Sequence, residues 1–83
     1  MSMIKEYYRP QPLAANAVYV SNASHIAGFL ATVAGTITVA DGGGVVVLNA
    51  MPLVLGFNRI PLQLNTTAST VTLAGGAAGT LLL

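Results

Sequence analysis

Cysteine and tryptophan are absent from this 83-residue chain, and charged side chains make up 6% of it. The lack of cysteine excludes disulfide bridges, thiolate metal sites and cysteine nucleophiles. One histidine and two carboxylates are too few for most metal cages, and they leave Glu6 with Asp41 as the one possible carboxylate pair. A net charge of +1 without a basic cluster provides little affinity for phosphate backbones. We therefore expect no enzymatic activity, no cofactor, no metal and no nucleic-acid partner.

The scarcity of charge also bears on the environment of the chain. A folded chain of this mass exposes about 4,600 Å², so its three basic and two acidic side chains amount to about one charge per 900 Å². Surfaces of soluble monomers are usually about a quarter to a third charged residues. Here 54% of all residues are hydrophobic and the mean hydropathy is +0.75. The composition argues against a free monomer and favours either a protein assembly or a membrane.

Three of the five charges lie in the first nine residues, and Pro10 and Pro12 follow them closely. Because proline disfavours helix and holds the residue before it extended, we interpret 1–17 as an extended N-terminal arm and 18–83 as a β-rich body. No apolar segment separates the first charges from Pro10, so we expect no signal peptide. Tyrosine and arginine are enriched at interfaces. The candidate residues of a partner-docking arm are Lys5, Glu6, Tyr7, Tyr8, Arg9 and Pro10. The alternative is a frayed terminus without a role.

The body carries the patterns of β-strands. Thr36–Val39 and Thr70–Leu73 alternate polar and apolar residues, which predicts strands with one buried face. The continuous apolar run Val45–Leu48 predicts a strand buried on both faces. Pro61 lies within the segment Ile60–Leu64 and predicts an edge strand there. Turn-forming residues separate seven or eight such short strands, so we predict an all-β fold, either a small sandwich, a jelly roll or a barrel.

Two stretches of the body resemble each other. Thr36–Gly42 and Thr70–Gly76 both consist of an alternating strand followed by glycine, and an aliphatic run comes after each. We predict two similar hairpins, each with an amphipathic strand, a glycine turn and a buried strand. The glycines of Asp41–Gly44 lack the lysine of a phosphate-binding loop, so a hairpin turn is the better interpretation.

Uncharged β-strand edges aggregate unless another surface covers them, and this body lacks the lysines that normally protect such edges. We therefore expect a closed homo-oligomer, and a trimer suits a unit of this size. Candidate residues of the subunit interface are Asp41, Phe57 and Arg59, where the arginine of one subunit could pair with the aspartate of another. His25 has no acidic neighbour in sequence, so we assign it no catalytic or metal role.

The segment Val71–Leu82, and the strands rich in threonine, valine, alanine and glycine before it, resemble small structural proteins of tailed bacteriophages. The resemblance is one of composition and covers about 18–83. It implies a protein of the virion, located on the capsid surface as a decoration or cement subunit. Such a subunit would form trimers, bridge capsid subunits and use its N-terminal arm to reach the major capsid protein or another virion protein.

Two other functions stay open from the sequence. A component of a phage tail, spike or head fibre has the same composition, although only five aromatic residues are available for contacts with a glycan. A small membrane-associated protein is the second alternative, because Ile60–Leu83 has no charge and is long enough to span a bilayer. Its threonines, glycines and Pro61 oppose a membrane helix, so we expect no membrane partner.

Overall fold

The computed structural model describes residues 10–22, 25–64 and 68–83. Every regular element within these ranges is a β-strand. The strands are β1 (Pro10–Leu13), β2 (Val18–Ser21), β3 (His25–Val33), β4 (Gly35–Asp41), β5 (Val46–Leu53), β6 (Gly56–Gln63), β7 (Ser69–Ala74) and β8 (Ala78–Leu82). The prediction of an all-β chain with about eight short strands is confirmed. No helix in the described ranges is long and apolar enough to cross a membrane.

The eight strands form two antiparallel sheets of four. Sheet A has the order β1-β8-β3-β6, and sheet B has the order β2-β7-β4-β5. The first strand pairs with the eighth, the second with the seventh, the third with the sixth and the fourth with the fifth. This nesting of antiparallel pairs, rolled into two sheets, is the strand order of a jelly roll. Of the three architectures that the sequence left open, the structure has this one.

The hydrophobic core consists of side chains from both sheets. In sheet B, the alternation of β4 and β7 directs Ile37, Val39, Val71 and Leu73 inward, where each is at most 2% exposed. Sheet A contributes a fully buried Phe29 among other apolar residues. Because side chains alternate along a strand, the threonines of β4 and β7 lie on the opposite, outer face. The prediction of amphipathic strands in these two segments is confirmed.

Proline marks three of the four sheet edges. Pro61 lies in β6, which is an edge strand as predicted, and Pro52 lies in the edge strand β5. Pro10 and Pro12 belong to β1, the other edge of sheet A. Proline has no N–H to donate and is tolerated at an edge. Residues 10–17 of the predicted arm therefore contain a strand of the body, and its Leu13 joins the core.

The prediction that the run Val45–Leu48 is buried on both faces is wrong. The side chains of Val45, Val46 and Val47 are 61%, 52% and 43% exposed, and Leu48 is partly buried against the core. Because β5 is an edge strand that pairs only with β4, a continuous apolar run there does not require burial. The strand also continues through Asn49–Pro52. A positive φ of 50° at Ala50 accompanies shifts in the register between β4 and β5.

Of the two predicted hairpins, the first forms with the expected strand pairing, although the start of its second strand is exposed and not buried. The strands β4 and β5 pair across the turn Asp41–Gly44, whose ends are joined by an Asp41 N–H to Val45 O hydrogen bond of 2.9 Å. After β7, by contrast, the chain leaves sheet B, and β8 pairs with β1 and β3 in sheet A. The strands β7 and β8 thus lie inside different sheets and do not form a second hairpin.

Candidate functional site

The predicted interface and arm residues lie in different parts of the molecule. Of the candidate docking arm, Lys5, Glu6, Tyr7, Tyr8 and Arg9 lie outside the described residues, and Pro10 is exposed at the start of β1. Phe57 and Arg59 lie on β6 in sheet A, whereas Asp41 ends β4 in sheet B. The aspartate and the arginine thus belong to different sheets of one subunit.

The side chain of Asp41 organises its own turn. Its Oδ1 accepts hydrogen bonds from the backbone N–H groups of Gly43 and Val45, each at 2.9 Å. The carboxylate closes the turn in the manner of an Asx motif. This engagement makes Asp41 a structural residue of the hairpin, and it holds Val45 at the start of an exposed apolar edge.

That edge extends along β5 and the connection that follows it. We call it the β5 edge, and its members are large apolar side chains that are 43–67% exposed: Val45, Val46, Val47, Val54 and Leu55. Exposed hydrophobic edges of this kind are templates for contact with another chain. Val54 and Leu55 form the link between β5 and β6.

Asn58 holds this link in place. Its side chain is 8% exposed, and its Nδ2 donates to Val54 O at 2.9 Å, to Gly56 O at 3.0 Å and to Phe29 O at 3.2 Å. Its Oδ1 accepts the N–H of Val54 at 2.9 Å. A buried amide with its donors and acceptor engaged rigidifies the segment around it. The two apolar side chains of the link are therefore displayed on a fixed backbone.

Asn58 was not predicted as a structural residue, because an asparagine after Gly56-Phe57 resembles an ordinary turn residue. A signal was nevertheless present. The residue has the position of an inward-facing side chain in the alternation of 57–60, between exposed Phe57 and Arg59. A polar residue at such a position needs hydrogen-bond partners inside the protein.

A second surface lies on the outer face of sheet A. Phe57 is opposite Leu30, and Arg59 is opposite Gly28. The phenyl ring lies over Gly28, because a Cβ atom built there would come within 2.6 Å of Phe57 Cε1 and 2.7 Å of Asn58 O. Glycine at this position lets the exposed ring lie against the sheet beside the guanidinium group.

A depression of about 400 Å³ lies next to this ring, lined by Ala27, Phe57, Arg59 and Pro61. We call it the Arg59 groove. It combines an aromatic surface with an exposed cation, which suits a carboxylate attached to an apolar or aromatic segment. The structure thus places two of the three predicted interface residues, Phe57 and Arg59, side by side.

The outer face of sheet B has a different character. Thr38 lies opposite Thr72, and Thr70 lies opposite Val20 and Ala40. The residues whose side chains lie on this face are uncharged, and Val18 and Val20 at its β2 side are 65% and 66% exposed. This face carries mainly small or β-branched side chains.

His25 begins β3 and is exposed. In the described ranges no three residues among histidine, cysteine, aspartate and glutamate come together to hold a metal ion. The two exposed surfaces described above are the β5 edge and the Arg59 groove. Comparison with protein-family models, with curated proteins and with solved structures finds no match to this chain.

Proposed function

We propose that this protein is a structural subunit of a tailed-phage virion, located on the capsid surface. In this proposal it forms a homo-oligomer, which we expect to be a trimer, and stabilises the head as a decoration or cement protein that bridges capsid subunits. The N-terminal arm contacts the major capsid protein or another virion protein. No catalysis and no cofactor are involved.

The observation that carries the proposal is the exposed apolar surface of the body. The β5 edge displays five large apolar side chains, and residues 10–83 contain one carboxylate and one arginine in all. A surface this poor in charge is typical of a protein that another protein covers. The rigid support that Asn58 provides fits an interface, since a fixed backbone loses little conformational entropy on binding.

The fold is compatible with this role. Jelly rolls are common in viral capsid proteins, and they also occur in lectins and cupins. One fold can serve many functions, so the other observations select among them. It supports the virion proposal in combination with the apolar surface and with the compositional resemblance to phage structural proteins.

Light scattering on a size-exclusion column tests the oligomer. Three copies of the 8.4-kDa chain give about 25 kDa, and we expect one sharp peak at that mass in plain buffer. Val46→Lys places a charge on the β5 edge and should shift the peak towards the monomer. Ala14→Lys, in the exposed connection between β1 and β2, is the matched control and should leave the mass unchanged. A wild-type monomer at micromolar concentration would contradict the oligomer.

Sedimentation with purified phage particles tests the location. Heads and tails are separated from the tailed phage that carries the gene, and each is incubated with the purified protein. We expect co-sedimentation with heads, and a loss of it when 1–9 are deleted. Co-sedimentation with tails alone would instead support the tail, spike or fibre alternative, and binding to neither would contradict a virion role.

Flotation with liposomes tests the remaining alternative. Vesicles of phosphatidylcholine and phosphatidylglycerol are mixed with the protein and centrifuged through a density gradient. The protein should stay at the bottom of the gradient, because its exposed apolar side chains are proposed to bind another protein and not lipid. Flotation with the vesicles, together with a helical circular-dichroism spectrum in detergent, would favour the membrane-associated function.

A further inference from the structure

The Arg59 groove lies at an irregularity of sheet A. The register between β3 and β6 shifts on passing Ala27. Such irregularities redirect side chains and are frequent next to binding sites. Ala27 has a small side chain, whereas larger residues of β6 line the rest of the depression, namely Phe57, Arg59 and Pro61. The fold thus leaves a space of about 400 Å³ on the outer face of sheet A.

The ring and the cation of the groove have a fixed spacing. Phe57 and Arg59 are two residues apart on β6 and both are exposed, so their side chains point to the same face about 7 Å apart. The ring packs against Gly28, where a Cβ atom would come within 2.6 Å of Phe57 Cε1. Asn58 lies between the two residues, and its buried side chain donates to Phe29 O at 3.2 Å. Because these contacts hold the backbone, the spacing exists before a ligand binds.

The guanidinium group of Arg59 has no acidic partner among the described residues. The one acidic residue in the described ranges is Asp41, which belongs to the other sheet. Its Oδ1 already accepts the N–H groups of Gly43 and Val45. The planar donors of a guanidinium group match the two oxygens of a carboxylate. Charge complementarity therefore selects an anionic occupant for the groove.

The apolar residues of the groove decide which anion fits. Ala27, Phe57 and Pro61 provide no side-chain hydrogen-bond donor or acceptor. An acidic sugar would leave hydroxyl groups without partners against this surface, which is unfavourable. A phosphate group carries nearly two charges and is usually bound by a cluster of cations, whereas one arginine is present here. A single carboxylate with an aromatic side chain beside it satisfies both the cation and the apolar wall.

The spacing within the groove also constrains the sequence of the occupant. In an extended peptide, side chains two residues apart point to the same side about 7 Å apart, like Phe57 and Arg59 themselves. We propose that the Arg59 groove binds an extended segment of another protein, in which an acidic and an aromatic residue are two positions apart. The carboxylate pairs with Arg59, and the aromatic side chain packs on Phe57. The inference goes beyond the proposed function, because this site depends neither on the oligomer nor on the virion.

An NMR titration of the full chain tests the site. The protein, labelled with nitrogen-15, is titrated with the peptide acetyl-Gly-Asp-Ser-Phe-Gly-amide. We expect a dissociation constant of about 1 mM, as for one exposed ion pair with one aromatic contact. The amide signals of Ala27, Phe57 and Arg59 should shift at least threefold more than those of Thr38 and Thr72 on sheet B. Equal shifts on both sheets, or no shifts at about 10 mM peptide, would overturn the proposal.

Matched probes on the wild-type protein separate the two contacts. A peptide with asparagine in place of the aspartate, and one with alanine in place of the phenylalanine, should each bind about fivefold more weakly. Equal binding of the asparagine peptide would overturn the pairing with Arg59, and equal binding of the alanine peptide would overturn the ring contact. Glucuronate should shift the groove signals less than the first peptide does. Larger shifts with glucuronate would indicate a site for acidic sugars and would overturn the peptide.

Substitutions then test the two side chains of the groove. Arg59→Gln should abolish the preference for the aspartate peptide over the asparagine peptide, and Phe57→Leu should abolish the preference for phenylalanine over alanine. Combining Arg59→Gln with Ala14→Lys restores the net charge but should not restore the preference. If it did, net charge and not the groove would select the peptide, which would overturn the proposal.

The peptide controls keep the test independent of these variants, because they use the wild-type protein and stand even if a variant folds poorly. The oligomer is measured separately. A monomer in light scattering would contradict the proposed oligomer but would leave the peptide result standing.

Discussion

The segments Thr36–Gly42 and Thr70–Gly76 have nearly the same pattern of residues, yet they lead the chain along different paths. After the first, β5 returns beside β4 in sheet B. After the second, β8 enters the centre of sheet A. The aliphatic runs that follow differ accordingly, because Val46 is 52% exposed and Leu81 is fully buried. Similar local sequences therefore specify a strand and a turn, but not the partner of the next strand.

The first turn is stabilised within five residues. Asp41 Oδ1 accepts the N–H groups of Gly43 and Val45, and the Gly44 N–H donates to Asp41 O at 3.1 Å. Gly44 has a φ of 87°, a conformation that glycine adopts without a steric cost. All of these hydrogen bonds lie within residues 41–45.

The second turn depends on distant residues. The Gly76 N–H donates to Asn16 Oδ1 at 2.8 Å, and the Asn16 N–H donates to Ala77 O at 3.2 Å. Ala77 is fully buried, and Gly35 packs against it so closely that a Cβ atom there would clash with the carbonyl oxygen of Ala74 and lie 2.7 Å from Ala77 Cβ. These contacts direct the chain inward and across to the other sheet.

The largest expected difference concerns the two aliphatic runs. Leu81→Ala should lower the free energy of unfolding by about 3 kcal/mol, because it leaves a cavity in the core. Val46→Ala on the exposed edge should change it by less than about 0.5 kcal/mol. Urea unfolding followed by circular dichroism measures both values, at a concentration at which both variants have the same mass. Equal costs would contradict the different burial of the two runs.

The glycines next to the two turns provide the second contrast. Gly35→Ala should cost about 2 kcal/mol, since the new methyl group meets backbone atoms and buried Ala77. In Gly43→Ala the nearest atom to the new methyl is Asp41 Oδ1 at 3.4 Å, so we expect a change within about 0.5 kcal/mol. Thermal unfolding of the pair gives the comparison. A fully tolerated Gly35→Ala would disprove the close approach.

Asn16 tests the remote support of the second turn. Asn16→Ala removes the hydrogen bond to Gly76 and puts alanine at a φ of 57°, so the expected loss is about 2 kcal/mol. Asn16→Gly keeps the backbone conformation free of strain and should lose about 1 kcal/mol. Unfolding in urea distinguishes the two. If alanine were tolerated as well as glycine, the positive φ would contribute nothing.

The smallest expected effect is at the first turn. Asp41→Ala removes two exposed hydrogen bonds and should cost about 1 kcal/mol, whereas Asp41→Asn keeps an acceptor and should cost less. Amide hydrogen exchange should accelerate at Gly43 and Val45 in the alanine variant while Gly76 keeps its wild-type rate. Faster exchange at Gly76 as well would show that the two turns are not independent.

Much of the fold could be predicted where the physics is local. The alternation at Thr36–Val39 identified the inward and outward faces of β4, and Pro61 identified an edge strand. The candidate surface was predicted less well. Phe57 and Arg59 were singled out and lie together, but Asn58 between them was not recognised. Its role depends on Phe29, 29 residues away, and a linear pattern contains no information about that contact.

The sequence predicted that the apolar run at the start of the β5 edge is buried, whereas the structure shows it exposed. A run such as Val45–Leu48 has the composition of a strand covered on both faces, and composition cannot tell whether the fold provides a cover. Here the run lies at the edge of sheet B, where Val45, Val46 and Val47 stay exposed while Leu48 packs partly against the core. The error is informative, because the same surface carries the proposed oligomer interface.

By itself, the sequence determined the all-β class, the inward and outward faces of β4 and β7, and the edge position of the strand that contains Pro61. These features follow from backbone sterics and from the alternation of side chains within a few residues. Only the tertiary structure decided the nested pairing of strands, the crossing after β7 and the burial of Asn58. Each of these depends on contacts between residues far apart in the chain, such as Asn16 with Gly76 and Gly35 with Ala77. Such contacts stabilise the chain only after both sheets have formed.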